Sequence, residues 1–105
     1  MIIGITGGTS GLGKRLVEYL TGLGYRVKAL ALKTSLVDEL LNWGVELVFG
    51  DISEPDSLVP FIQNINICYH IAAQVSHATK KQLFKINVTG TKNICDAIVK
   101  TNPDC

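Results

Sequence analysis

The stretch TGGTSGLG, Thr6–Gly13, decides the fold of this 105-residue chain. An apolar run, Met1–Thr6, comes before it, and leucines recur at helical spacing from Gly11 to Leu23 after it. The pattern predicts a buried strand, a glycine turn and an amphipathic helix. Backbone N–H groups at the start of such a helix are unsatisfied donors, and an anion can reach them only where no Cβ intervenes.

The glycines of this turn have different predicted roles. Gly7 makes the tight turn out of the strand, Gly11 lets a pyrophosphate come close, and Gly13 lets the helix pack on the sheet. The hydroxyls of Thr9 and Ser10 can cap the helix or bind a phosphate. The alternative is a tight strand-to-helix turn without a ligand. The candidate cofactor-binding residues of the turn are Gly7, Thr9, Ser10, Gly11, Leu12 and Gly13.

Short apolar runs and amphipathic runs alternate along the rest of the chain. Further strands are expected at 26–32, 45–49 and 65–73, and helices at 35–43 and 80–100. Only short helical turns are expected after Ser53, because Pro60 interrupts a regular helix. Strands separated by helices pair in parallel through right-handed crossovers. We therefore predict a single α/β domain over residues 1–105, with a parallel sheet covered by helices in a three-layer architecture.

Composition excludes several classes of protein. The net charge of +1 gives no basic field for nucleic-acid binding. The cysteines Cys68, Cys95 and Cys105 lack metal-ligand spacing and are expected to be free thiols, so no metal site is predicted. Glycines interrupt the first apolar run after six residues, so it predicts neither a signal peptide nor a membrane span. A cytoplasmic location is the expectation.

The end of the second strand bears on the choice between NAD and NADP. In a Rossmann unit, a carboxylate here binds the ribose 2′-hydroxyl. The region Leu30–Ser35 contains no acid, but it offers Lys33 and two hydroxyls. A cation and hydroxyls suit a 2′-phosphate, which favours NADP slightly over NAD. The alternative is that Lys33 is simply solvated.

Three further motifs give the chain a resemblance to a known family. Gly50–Ile52 is similar to G-D-[ILV], His70–Ala73 to H-x-A-A and Asn87–Thr91 to N-V-x-G-T. Together they resemble the short-chain dehydrogenases/reductases, in the extended subgroup of epimerases, dehydratases and flavonol- or steroid-type reductases. The glycine turn departs from that subgroup, because Ser10 stands where its second glycine is usual and Gly11 follows.

The resemblance implies roles for residues outside the glycine turn. It places Asp51 and Ile52 at the adenine, Ala72 and Ala73 against the sugar and phosphate, and Asn87 near the nicotinamide. Each residue has a plainer interpretation as well: Asp51 as a turn residue, the two alanines as packing residues and Asn87 as a solvated one. We interpret His70 as a satisfied core histidine. A solvated helical face is expected for Lys80, Lys81, Lys85 and Lys92.

The family's catalytic signature, Y-x-x-x-K, is missing from this chain. Tyr19, Tyr25 and Tyr69 are followed four residues later by leucine or alanine. No catalytic residue is therefore assigned. The resemblance implies a Rossmann-type sheet with strand order 3-2-1-4, truncated before a fifth strand. It also implies that the chain is the NAD(P)-binding portion, inactive alone, of an enzyme acting on a nucleotide sugar or a small carbonyl or alcohol.

The alternative is a non-catalytic module that senses a dinucleotide or binds a partner. The predicted fourth strand has an uncovered edge, which could take a second copy of the chain or a complementing chain.

Overall fold

The computed structural model describes residues 1–73 and 78–105. The strands are β1 (Ile2–Thr6), β2 (Arg26–Ala31), β3 (Glu46–Phe49) and β4 (Ile67–His70). The helices are α1 (Gly11–Gly22), α2 (Asp38–Asn42), α3 (Val59–Ile62), α4 (Lys80–Phe84) and α5 (Gly90–Thr101). A 3₁₀ turn over Pro55–Leu58 precedes α3, and a π-helical segment over Lys85–Thr89 joins α4 to α5.

The four strands form one parallel sheet in the order β3-β2-β1-β4, which confirms the predicted fold. β1 is central: Ile5 lies opposite Ala29 of β2 on one side and Tyr69 of β4 on the other. The chain crosses from one side of β1 to the other between β3 and β4. A crevice is expected at this switch point, at the carboxyl ends of the strands.

Two apolar cores cover the two faces of the sheet. α1 and α2 enclose the first, with the buried residues Ile3, Ile5, Val17, Leu20, Val27, Ala29, Leu40 and Val45. The 3₁₀ turn, α3 and α5 enclose the second, with the buried residues Leu30, Ile52, Leu58, Phe61, Ile62, Ile65, Ile94 and Ala97. The three-layer arrangement therefore follows from burying both faces of a parallel sheet.

Two predicted elements, the second helix and the fourth strand, are several residues shorter in the structure. The second helix begins at Asp38 instead of Ser35, because a turn closed by the Ser35 N–H and the Leu32 carbonyl uses the residues before it. β4 ends at His70 instead of Ala73, because its partner β1 ends at Thr6 and Gly7 turns the chain away. A strand cannot continue its ladder beyond the end of its neighbour.

The last helix differs from its predicted regular form. The sequence pattern groups Phe84 and Val88 with Thr91 on one side, yet the structure leaves Phe84 and Val88 exposed. The buried residues of α5 are instead Gly90, Ile94 and Ala97. The π-helical segment changes the helical phase between the two halves, so one periodicity cannot describe both.

Candidate functional site

A cleft of about 820 Å³ opens at the carboxyl ends of the strands, at the switch point around β1. The glycine turn, the end of β2, the loop after β3, the end of β4 and the α4–π segment supply its walls. Ten of the twelve cofactor-binding candidates line it, and only Lys33 and Asn87 do not. The sequence motifs therefore converge on one site, although they lie far apart in the chain.

Gly7 and Gly11 both have a positive φ, a backbone conformation that residues with a side chain adopt only with strain. Gly7 has φ +74°, and a Cβ there would lie 2.7 Å from the Ala72 nitrogen at the end of β4. Gly11 has φ +56°, but a Cβ there would meet nothing within 4 Å. Gly7 is therefore required by packing, whereas the space beside Gly11 remains open for a ligand.

Gly13 fixes the distance between α1 and the turn. A Cβ at this position would overlap the Gly7 carbonyl oxygen, a backbone atom that cannot rotate away. The first turn of α1 consequently packs directly against the end of β1. This contact matches the role predicted for Gly13.

The amino end of α1 offers donors without competing acids. Its first backbone hydrogen bond runs from the Lys14 N–H to the Ser10 carbonyl, so the preceding N–H groups have no acceptor inside the helix. The first turn contains no acidic residue, and the Ser10 side chain makes no capping hydrogen bond. The Ser10 hydroxyl is thus left for a ligand, because the capping alternative does not occur here.

Asp51 forms a turn at the wall of the cleft. Its Oδ1 accepts hydrogen bonds from the N–H (2.9 Å) and the hydroxyl (2.8 Å) of Ser53, as in a turn. Ser57 also bonds the Asp51 backbone, with 2.9 Å between the Asp51 nitrogen and the Ser57 hydroxyl oxygen. Asp51 lines the cleft, and Oδ1 is the oxygen that these bonds use. The turn therefore fixes the Asp51 carboxyl group through one of its two oxygens.

His70 does not line the cleft, but it belongs to a hydrogen-bond chain that includes the lining residue Thr6. Its Nδ1 lies 2.7 Å from the Thr6 hydroxyl and its Nε2 lies 2.9 Å from the Thr91 hydroxyl. The Thr6 hydroxyl already accepts the N–H groups of Ile71 (3.0 Å) and Ala72 (3.1 Å). Its own proton must then go to Nδ1, which assigns the neutral Nε2–H tautomer.

The same chain ends in the last helix, where the Thr91 hydroxyl donates to the Asn87 carbonyl at 2.7 Å. Burial lowers the pKa of His70, which agrees with a neutral ring. The geometry therefore matches the interpretation of His70 as a satisfied core histidine.

Lys33 and Lys85 are both exposed, but only Lys85 lines the cleft. Lys33 is exposed in the turn after β2, outside the cleft lining, whereas its neighbour Ser35 lines the cleft. Lys85 is exposed, as expected for a solvated helical face, and it also lines the cleft. Helical spacing could not reveal this, because the π-helical segment begins at Lys85 itself.

The cysteines offer no nucleophile or metal site to the cleft. All three are free, and none of them is a lining residue. Burial raises the pKa of Cys68 to about 12, so its thiol remains protonated at neutral pH. In residues 1–73 and 78–105, no group of three or more metal-ligating side chains comes together. No helix in those ranges is long and apolar enough to cross a membrane.

Comparison with known families decides the affiliation of this fold and cleft. The model of the NAD-dependent epimerase/dehydratase family matches residues 3–104. The chain belongs to that family. This match confirms the predicted resemblance to the extended short-chain dehydrogenases/reductases.

Two curated proteins are similar to most of this chain. A Synechocystis sp. protein named for dihydroflavonol 4-reductase is 37% identical over 92 residues, which is 86% of this chain and 26% of that protein. The photosystem II assembly factor Ycf39 of Cyanophora paradoxa is 31% identical over 98 residues, 92% of this chain and 30% of that protein. The chain thus spans about a quarter to a third of these curated relatives.

A solved structure shows the same arrangement. The UDP-glucose 4-epimerase of Thermus thermophilus, in complex with NAD, is 27% identical and superimposes with a TM-score of 0.79. The match covers 93% of this chain and 33% of that one.

Proposed function

We propose that this chain is the nicotinamide-dinucleotide-binding part of an epimerase/dehydratase-family enzyme. The observation that carries the proposal is the glycine turn, Gly7–Gly13, at the amino end of α1 in the wall of the cleft. A dinucleotide needs this combination, because its pyrophosphate binds helix N–H groups that glycines leave accessible. The NAD named in the Thermus thermophilus epimerase complex supports the same cofactor class.

The cleft residues fit such a cofactor from one end to the other. The pyrophosphate would lie in the open space beside Gly11. It would accept a hydrogen bond from the Ser10 hydroxyl, which does not cap the helix. The Asp51 carboxylate and Ile52 would hold the adenosine, and the small side chains of Ala72 and Ala73 would lie along the ribose and phosphate. We also propose that Asn87, which lies outside the lining, approaches the nicotinamide.

The cofactor's chemistry is hydride transfer at the nicotinamide ring. The residues of this chain bind and orient the cofactor, and no catalytic role is assigned to them. We propose a nucleotide sugar, or a small carbonyl or alcohol, as the substrate class of the whole enzyme. The names of the related epimerase and reductase support this class.

We propose a preference for NADP over NAD, carried by the turn after β2. Lys33 lies in this turn and Ser35 lines the cleft, while the first acid beyond the turn is Asp38 at the start of α2. The next acid, Glu39, bonds Lys14 at 2.6 Å, and this hydrogen bond lowers its pKa. A 2′-phosphate at this end of the cleft would therefore meet the Ser35 hydroxyl and no carboxylate from Leu30–Ser35, with Lys33 exposed in the adjoining turn.

Calorimetric titration of the 105-residue chain with NAD and NADP tests the proposal. We expect binding of both, with NADP tighter, and a loss of about tenfold or more in Gly11→Ala, because the new methyl group occupies the ligand space. Gly24→Ala is the matched control. Gly24 also has a positive φ (+88°) and an open Cβ position, but it lies at the far end of α1.

Both variants should lose a similar stability, about 1–2 kcal/mol from left-handed alanine. Only Gly11→Ala should lose affinity. A folded wild-type chain that binds neither dinucleotide would refute the proposal, and tighter binding of NAD would refute the NADP preference alone.

A further inference from the structure

Lys85 is the only cation among the described residues that line the cleft, and Asp51 is the only anion. The lysines elsewhere include two with carboxylate partners: Lys14 bonds Glu39 and Lys92 bonds Asp96, both at 2.6 Å. Within residues 1–73 and 78–105, the exposed ammonium group of Lys85 has neither an ion pair nor a hydrogen bond. Lys85 therefore lines the cleft with a positive charge that no carboxylate of the described residues pairs with.

The π-helical segment accounts for this position of Lys85. The Gly90 N–H donates to the Lys85 carbonyl, five residues earlier instead of four. This wider turn places Lys85 and Ile86 together on the cleft side, although the α5 face begins at Gly90. A regular helix would set Lys85 at a different angle from the buried face.

Contacts with Ile52 hold the helix in this orientation. The Asn93 side chain donates to the Ile52 carbonyl at 2.8 Å. A Cβ on Gly90 would lie 2.7 Å from Ile52 Cδ1, so the helix and the loop after β3 approach closely there. Since helices run antiparallel to the strands, Lys85 lies beyond this contact, above the carboxyl edge of the sheet.

A bound dinucleotide would bring more negative charge into the cleft than the helix end can neutralise. A dinucleotide pyrophosphate brings two negative charges, whereas the amino end of a helix offers the equivalent of about half a positive charge. Asp51 adds a further negative charge to the same cleft. We propose that Lys85 binds a phosphate group of the dinucleotide from the wall opposite the glycine turn. This inference rests on the proposed function of the cleft.

The test compares Lys85→Gln with Lys81→Gln, which removes an exposed lysine of the same helix that does not line the cleft. NAD, NADP and adenosine, which has no phosphate, are the probes. We expect Lys85→Gln to weaken NAD and NADP about threefold to tenfold while adenosine binding is unchanged. Lys85→Arg should retain the affinity, and about 1 M salt should remove most of the difference.

The outcomes separate this inference from the proposed function. Equal affinity of Lys85→Gln and wild type overturns the role of Lys85 and leaves dinucleotide binding intact. Equal losses in Lys81→Gln, or for adenosine, also overturn it, because they indicate a general charge or folding effect. Equal losses for NAD and NADP assign Lys85 to the pyrophosphate, and a larger loss for NADP assigns it to the 2′-phosphate. A wild-type chain that binds neither refutes both proposals.

Discussion

Single atoms decide what the glycine turn tolerates. Gly11 and Gly13 are two residues apart, yet an added methyl group would enter open space at Gly11 and a backbone oxygen at Gly13. One glycine therefore leaves room for a ligand and the other lets the helix meet the turn. A motif written only as glycines at fixed spacing does not separate these two demands.

We expect Gly13→Ala to lower the free energy of unfolding by about 3 kcal/mol or more, because backbone atoms must move to relieve the overlap with the Gly7 carbonyl. Gly22→Ala, at the end of the same helix with open space around its Cβ, should be neutral or stabilising by up to about 1 kcal/mol. Urea denaturation of the three proteins measures the difference. Similar stabilities for the two variants would contradict the assigned packing role.

Among the elements, β4 is paired along one edge only, and its two faces are buried to different extents. Within the described residues it hydrogen-bonds to β1 alone, so its other edge is open. Cys68 packs on the second core and His70 bonds Thr91, whereas Ile67 and Tyr69 alternate to the other face and are 37% and 43% exposed. An open edge with apolar side chains is a site where another strand can add.

We predict that the chain associates through β4, either with a second copy or with a complementing chain. Sedimentation velocity over a range of concentrations should show wild-type self-association, which Tyr69→Lys reduces because a charge blocks strand addition. Leu36→Lys is the control, since Leu36 is 88% exposed and lies in the loop before α2. A monomeric wild type, or equal effects of both substitutions, would argue against this edge as the interface.

At the scale of the whole molecule, one hydrogen-bond chain joins β1, β4 and the last helix. It runs from the backbone N–H groups after β4 through Thr6, His70 and Thr91 to the Asn87 carbonyl. Thr6 is completely buried. A proton added at His70 Nδ1 would face a hydroxyl oxygen whose lone pairs are already used, so the folded protein disfavours the charged ring.

This network predicts a dependence of stability on pH. Burial lowers the His70 pKa in the folded state, whereas the unfolded ring takes up a proton near pH 6.5. Between the two pKa values the unfolded chain binds more protons, so stability falls as the pH falls, by up to about 1.4 kcal/mol per pH unit. The contribution is fully present above the unfolded pKa and is lost as the pH falls through the folded one.

Urea denaturation at a series of pH values below neutrality measures this slope. His70→Gln should make it shallower, besides lowering stability at every pH. An unchanged slope in that variant would show that His70 is not the group responsible.

The sequence by itself determined the strand order and most of the cleft. Glycine positions, apolar runs and helical spacing are local signals, and a parallel sheet leaves few ways to connect alternating strands and helices. The glycine turn, Asp51, Ile52, Ala72 and Ala73 all reach the cleft as predicted, because each follows a strand whose carboxyl end lies at the same edge.

Only the tertiary structure decided the parts that depend on neighbours. β4 ends where β1 ends, and the last helix buries Gly90 instead of Val88 because a π-helical segment shifts its phase. The same shift brings Lys85 to the cleft, while Lys33 stays outside the lining. Strand ends and helical phase are set by contacts between distant segments, and a pattern read along one segment does not contain them.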